Sequence, residues 1–125
     1  MIHRFLQDWA RAPWVIADPG AGGTISVGQS GVLFFAIPSA NVTRILPPPI
    51  GEGQMLFLKA KGGPGGANAD IQASQSATIV LQNGTPATNG LRFTGLVDYA
   101  LLFGSRNSSD SLVWQVLLIV GATSY

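Results

Sequence analysis

The residues able to do chemistry are few and scattered in this chain. There is one histidine, His3, and six acids, Asp8, Asp18, Glu52, Asp70, Asp98 and Asp110; cysteine is absent. A Ser–His–Asp relay would have to recruit His3 from the extreme N-terminal region. A glycosidase needs two carboxylates facing each other across a cleft, and no spacing among these acids points to such a pair. Calcium wants several oxygen ligands close together; Asn107-Ser-Ser-Asp110 is the one local cluster, and it reads as a polar turn. Without cysteine there is no disulfide framework, no thiolate nucleophile and no cysteine zinc site, which fits a reducing compartment. Gly62-Gly-Pro-Gly-Gly66 lacks the Gly-Lys-Ser/Thr of a phosphate loop. No catalytic, cofactor-binding or metal-binding residue is assigned, and the chain reads as a non-enzymatic protein.

Binding chemistry is similarly sparse. Lys59 and Lys61 are the nearest approach to a basic patch and read as solvated strand-end residues; a net charge of +1 with dispersed basic residues argues against nucleic acid as a partner. Trp9, Trp14 and Trp114 could form a sugar-stacking platform, but aromatic residues chiefly serve cores and interfaces. The N-x-S/T triplets at Asn41, Asn83 and Asn107 read as chance, because the first residues do not look like a signal peptide. The most apolar run, Leu112 to Ala122, is interrupted by Gln115 and is far short of the ~20 residues of a membrane helix, so no membrane partner is expected.

The elements that position these residues are short. With 125 residues the chain is expected to form one domain with a real core. Charged residues make up 10% of it, against about a quarter in ordinary globular chains, and mean hydropathy is +0.32. Such a surface calls for cover by copies of itself or by a partner. Ile2, Phe5, Leu6 and Trp9 recur at helical spacing, so residues 2–10 read as a short amphipathic helix ended by Pro13. So short a helix is marginal alone; its stripe must dock on its own body, a neighbouring subunit or a larger surface. Residues 1–22 form an arm and connector, with Trp14 to Ala17 as a possible extended piece, and residues 23–125 form the body.

The body reads as about eight or nine short strands bounded by turn residues: 24–27, 32–37, 42–46, 54–60, 69–74, 77–82, 91–96, 98–104 and 112–120. Pro86 between Asn83-Gly84 and Asn89-Gly90 predicts one long hairpin loop joining 77–82 to 91–96. In 54–60, Met55 and Phe57 alternate with Leu56 and Leu58, so one apolar face supplies a core and the other wants a partner. The expected fold is all-β, a β-sandwich or jelly-roll-like barrel, with no internal repeat in the sequence.

The stretch Arg44 to Leu58 is the most specific. A strand stops at Pro47-Pro-Pro49, turns through Gly51 and Gly53, and restarts at Gln54. Arg44, Leu46, Pro47, Gly53, Gln54, Leu56 and Leu58, with Trp114, Val116 and Leu118 in the last strand, resemble a pattern in small β-rich virion proteins of tailed bacteriophages. The resemblance implies a capsid decoration (cement) protein, a homotrimer that binds the major capsid protein on the outside of the assembled shell, made in the host cytoplasm. The N-terminal arm is not part of that pattern; its amphipathic stripe and following extended piece supply the expected capsid- or partner-binding residues Ile2, Phe5, Leu6, Trp9 and Trp14. The expected oligomer interface is Phe34, Arg44, Pro47, Pro48, Met55 and Phe57. The alternative is a receptor- or glycan-binding module of a phage fibre, or a lectin-like protein, using loops 62–68 and 83–90 with an exposed aromatic.

Overall fold

The computed structural model describes residues 14–125. The expected helix at 2–10 lies outside them. The rest is all-β, as the turn spacing predicted: two sheets face each other across one apolar core. The strands are β1 (Val15–Ile16), β2 (Gly31–Phe35), β3 (Val42–Leu46), β4 (Met55–Ala60), β5 (Ala69–Ala73), β6 (Ile79–Val80), β7 (Gly90–Phe93), β8 (Tyr99–Arg106), β9 (Leu112–Val120) and β10 (Thr123–Ser124). The six-stranded sheet runs β1-β2-β4-β8-β9-β6 and the four-stranded sheet β10-β7-β5-β3.

The chain reaches this arrangement by two routes. Through β5 it winds: β1, β2 and β4 pair in parallel in one sheet, and each return passes through the other sheet, where β3 and β5 also pair in parallel. Residues 22–25 are the first such return. Gly22 N–H donates to Thr43 O at 2.7 Å and Ile25 N–H to Ile45 O at 2.8 Å, alongside β3. The strand expected at 24–27 is therefore a bridged edge segment. From β7 onward the pairings are antiparallel, β7 on β5, β8 on β4, β9 on β8 and β10 on β7, except that β9 also takes β6 in parallel on its other edge. The winding is a repeat of topology that the sequence does not repeat.

Three boundaries differ from expectation. The body starts at β1, ahead of residue 23, because Val15 and Ile16 pair with Val32 and Leu33. Gly31 permits this close approach: a Cβ there would lie 2.5 Å from Trp14 O. The long hairpin at 77–96 does not form. β6 pairs in parallel with β9 in the six-stranded sheet and β7 belongs to the other sheet. Asn83-Gly84 instead makes its own tight reversal, with Gly84 N–H donating to Leu81 O and Leu81 N–H to Thr85 O, both at 2.9 Å. Finally, the tail after Gly121 supplies β10, whose Thr123 and Ser124 pair with Arg92 and Leu91.

The proline corner connects the sheets as its composition requires. Three prolines end the β3 ladder, and Gly53 turns at φ 82°. Gln54, 8% exposed, ties the corner down: its Oε1 accepts from Ile50 N–H at 2.8 Å and its Nε2 donates to Val27 O at 2.7 Å. Gly104 of β8 packs beneath, where a Cβ would fall 2.2 Å from Gly51 O. Trp114, fully buried, donates from Nε1 to Pro47 O at 2.8 Å. The core between the sheets is built from alternate residues, including Leu33, Leu46, Leu56, Leu58, Ile71, Leu91, Phe93, Leu102 and Trp114. Phe35 and Phe93 meet edge-on across it at 5.0 Å.

Candidate functional site: an apolar sheet face

Strand periodicity sends every second residue of the six-stranded sheet away from the core. Register then assembles those residues into rows. One row runs Val15, Val32, Phe57, Leu101, Leu118 across β1, β2, β4, β8 and β9. The next runs Phe34, Lys59, Tyr99, Val120, and on the other side Met55 stands beside Phe103 and Gln115. Lys59 is the one charged residue in these rows. Among the described strands none lies over this face, since the other sheet packs on its opposite side.

Exposure is graded across the face. Met55, Phe57, Leu101 and Phe103 are half-buried. Leu117, Leu118 and Val120 are 47%, 44% and 42% exposed, and Val15 is 60% exposed. β9 reaches this state through a register shift opposite Leu101 and Leu102: Leu102 pairs with Val116 and Leu101 with Leu118, leaving Leu117 as the extra residue. Phe57 and Tyr99 stack diagonally, with centroids 5.7 Å apart. Lys59 Nζ sits 5.7 Å from the Tyr99 ring and donates to Val97 O, while Lys61 Nζ sits 5.5 Å from the Phe34 ring. Both lysines thus lie over aromatic rims with their heads toward water.

The opposite outer face has another character. Thr43, Asp70, Arg92 and Thr123 form its central row. Arg92 holds Asp70 with two bonds, at 2.9 and 3.0 Å, and the Tyr125 ring lies 4.5 Å from its guanidinium. The Asp70 carboxylate holds the Arg92 guanidinium above its usual range. Burial, then the nearby Asp70 charge, pushes the Tyr125 phenol up. This face is polar and satisfied.

Four of the five described acids are hydrogen-bonded to partners within the chain; the fifth, Asp110, is 88% exposed and only approaches Arg106, at 3.8 Å. Asp18 takes Arg44 Nε at 2.6 Å and Nη2 at 2.8 Å. The Arg44 hydrogen bond holds the Asp18 carboxyl below its usual range. Glu52 accepts from Arg106 at 2.7 Å, and Asp98 accepts Thr94 and Gly95 N–H groups in a turn. Asn107 Oδ1 accepts from Ser109 and Ser111 N–H, so 107–110 is the polar turn expected. Among the described residues no group of three or more His, Cys, Asp or Glu could hold a metal ion.

The residues singled out from the sequence divide accordingly. Phe34, Met55 and Phe57 come together on the apolar face. Arg44 does not. It alternates inward with Val42 and Leu46, is 5% exposed, and lies 5.4 Å from the Phe35 ring inside the sandwich. Its charge is met by Asp18 within the chain. Pro47 and Pro48 are half-buried at the corner, with the Pro47 carbonyl bound to Trp114. Trp14 is half-buried where the chain enters β1, and its carbonyl accepts from Val32 N–H at 2.9 Å. Ile2, Phe5, Leu6 and Trp9 lie outside the described residues. Neither loop 62–68 nor loop 83–90 carries an aromatic side chain, and Trp114 is fully buried. Sequence reading missed Tyr99, Leu101, Phe103 and Leu118. The alternation Tyr99, Leu101, Phe103, Ser105 against Ala100, Leu102, Gly104 carried the signal for the first three.

No family model matches this chain, and no curated protein matches it.

Proposed function

We propose that this chain is a non-catalytic structural protein of a virion, a capsid decoration protein that associates with copies of itself and binds the assembled shell. The observation that carries the reading is the apolar outer face of the six-stranded sheet, set against a polar, ion-paired outer face on the other. A face of that kind favours burial against another protein surface. Each half-buried Leu or Phe side chain on it still offers about 1 kcal/mol on full burial, roughly half the transfer value of the whole side chain. A ring of copies multiplies weak contacts into firm attachment to a repeating lattice. A protein that binds only the assembled shell also stabilises that shell by mass action. The resemblance at Arg44 to Leu58 supports the virion setting and a trimer.

Two measurements test this. Light scattering on the purified protein is expected to give a multiple of 13.0 kDa. Leu118→Glu, on the most open strip of the face, is expected to reduce the mass to that of one chain with unchanged circular dichroism. Sedimentation with shells assembled from the major capsid protein of the same genome is expected to carry the protein down. A single-chain mass for the unaltered protein, or shells that sediment without it, would overturn the reading.

A further inference from the structure

The two ends of the sandwich differ in how their charges are met. Among the described residues every arginine holds a carboxylate: Arg44 that of Asp18, Arg92 that of Asp70, Arg106 that of Glu52. Lys59 and Lys61 hold none. Both stand where β4 ends, in and just beyond the last outward row, Phe34, Lys59, Tyr99, Val120. The turn 94–98 projects past that row and presents Leu96 and Val97 to water at 45% and 72% exposure. Val97 is the most open large apolar side chain among the described residues. We infer that this end, Leu96 and Val97 flanked by Lys59 and Lys61, is the foot that meets the shell, and that the shell protein receives it with an apolar recess rimmed by carboxylates.

The turn is tied so that its apolar tip stays outward. Asp98, 8% exposed, accepts from Gly95 N–H at 2.8 Å and Thr94 N–H at 3.3 Å, so its carboxylate serves the turn. Gly62 N–H donates to Leu96 O at 2.9 Å, and Lys59 Nζ to Val97 O at 3.0 Å. Lys61 adjoins Gly62 and lies over the Phe34 ring. Cations and apolar tip therefore form one fixed unit, and little ordering remains to be lost on docking. An apolar anchor within a polar rim is the arrangement of an interface hot spot. Two lysines with no acid of their own call for acids on the other side. Orientation agrees: copies associated through the sheet face stand side by side along the strands, which leaves the strand ends free for a lattice. At the opposite end Ile50 is exposed, but Glu52 and Arg106 answer each other there and the turn 107–110 is polar. That end gives a second copy no recess for Val97 and no two free carboxylates, which argues against end-to-end stacking. Membrane surfaces are read by clusters of about 4–8 basic residues; this end has two, which favours a protein partner.

The inference rests on shell binding as the function, and the following experiment separates the two. Shells assembled from the major capsid protein of the same genome are sedimented with the unaltered protein, with Val97→Ser, with Lys61→Glu and, at the opposite end, with Asp110→Asn. Val97→Ser and Lys61→Glu are each expected to weaken shell binding about tenfold or more, with mass in solution and circular dichroism unchanged. Asp110→Asn is expected to bind as the parent does. Added sodium chloride is expected to weaken the parent more than Lys61→Glu. A carbodiimide, which joins an amine to a carboxylate in contact with it, is expected to link Lys61 to an Asp or Glu of the shell protein. Parental binding by either foot variant, or links only to Glu52 or Asp110 of a second copy, would overturn this foot and leave the shell reading standing. So would flotation of the protein with vesicles of phosphatidylserine and phosphatidylcholine that Val97→Ser abolishes. Shells that sediment without the unaltered protein would overturn the function reading itself, and the foot with it.

Discussion

Removing the carboxylate of Asp18 should cost more than its position near the surface implies. Arg44 is 5% exposed, is bound by Asp18 through Nε and Nη2, and has no hydrogen-bond partner for Nη1. In Asp18→Ala the guanidinium stays buried with no anion. Breaking a fully buried pair in this way costs ~3–5 kcal/mol. The Asp18 side chain is 35% exposed, so water entering its place recovers part of that, and about 2–3 kcal/mol remains. With a urea slope of ~1–3 kcal/mol/M, the unfolding midpoint should fall by about 1–2 M. Adding Arg44→Met should restore it to within ~1 kcal/mol of the parent, because a thioether beside Phe35 needs no counter-charge. An Asp18→Ala midpoint within error of the parent, or a double variant no better than the single, would refute this account of Arg44.

The same pair has a pH signature. Arg44 depresses the Asp18 carboxyl below its unfolded value near 3.8. The unfolded chain therefore takes up a proton first on acidification. The stabilisation is complete above about pH 4 and disappears as pH falls through the lower folded value. The gap between parent and Asp18→Ala should be constant near neutrality and narrow in acid. A gap that widened below pH 4 would contradict the sign.

Other substitutions separate the corner from the surface. Gly104→Ala should destabilise by about 1–3 kcal/mol in thermal melts, since the new Cβ would strike the Gly51 carbonyl at 2.2 Å and Gln54 holds that corner in place. Trp114→Phe should cost about 2–3 kcal/mol in urea titrations, from the missing ring volume and the Pro47 carbonyl left without its donor. Arg106→Ala, which breaks the exposed contact with Glu52, should change stability by no more than ~0.5 kcal/mol; a larger loss would mean that Arg106 holds the 107–110 turn through Asp110 O as well.

Local alternation made much of the sandwich legible. Met55 and Phe57 against Leu56 and Leu58 gave one buried and one outward face, and β4 has them so. Val42, Arg44 and Leu46 share a side by the same rule, but a charge in that row read as surface. The interior placement follows from Asp18, an acid 26 residues earlier, and nothing local marks that partnership. The winding was not legible for a related reason. A strand's own residues state which side is buried and not which sheet it joins, so 77–82 and 91–96, flanking two Asn-Gly turns, looked like partners. Their true neighbours, β9 for β6 and β5 for β7, are set by tertiary pairing. In β9 the run Val113-Trp-Gln-Val-Leu-Leu-Ile-Val120 is apolar on both sides, and an irregularity of one residue decides which side Leu118 takes.

That irregularity bears on why the two outer faces differ. Without it, strict alternation from Gln115 would turn Leu117 and Ile119 outward and put Leu118 and Val120 in the core. With it, Ile119 pairs with Ala100 against the core, and Leu117, Leu118 and Val120 enlarge the outer apolar area. An apolar side chain faces the core either way, Leu118 without the shift and Ile119 with it, so the shift has its main consequence on the outer surface. The winding strands add to the same area from the other side. β2 and β4 are hydrogen-bonded on both edges within the six-stranded sheet and carry Val32, Phe34, Met55 and Phe57 outward. The described acids lie elsewhere, in turns, at the corner or on the polar sheet. The scarcity of charge in this chain is thus not spread evenly over its surface. It is concentrated on one sheet, where winding strands and a shifted β9 bring apolar side chains into shared rows.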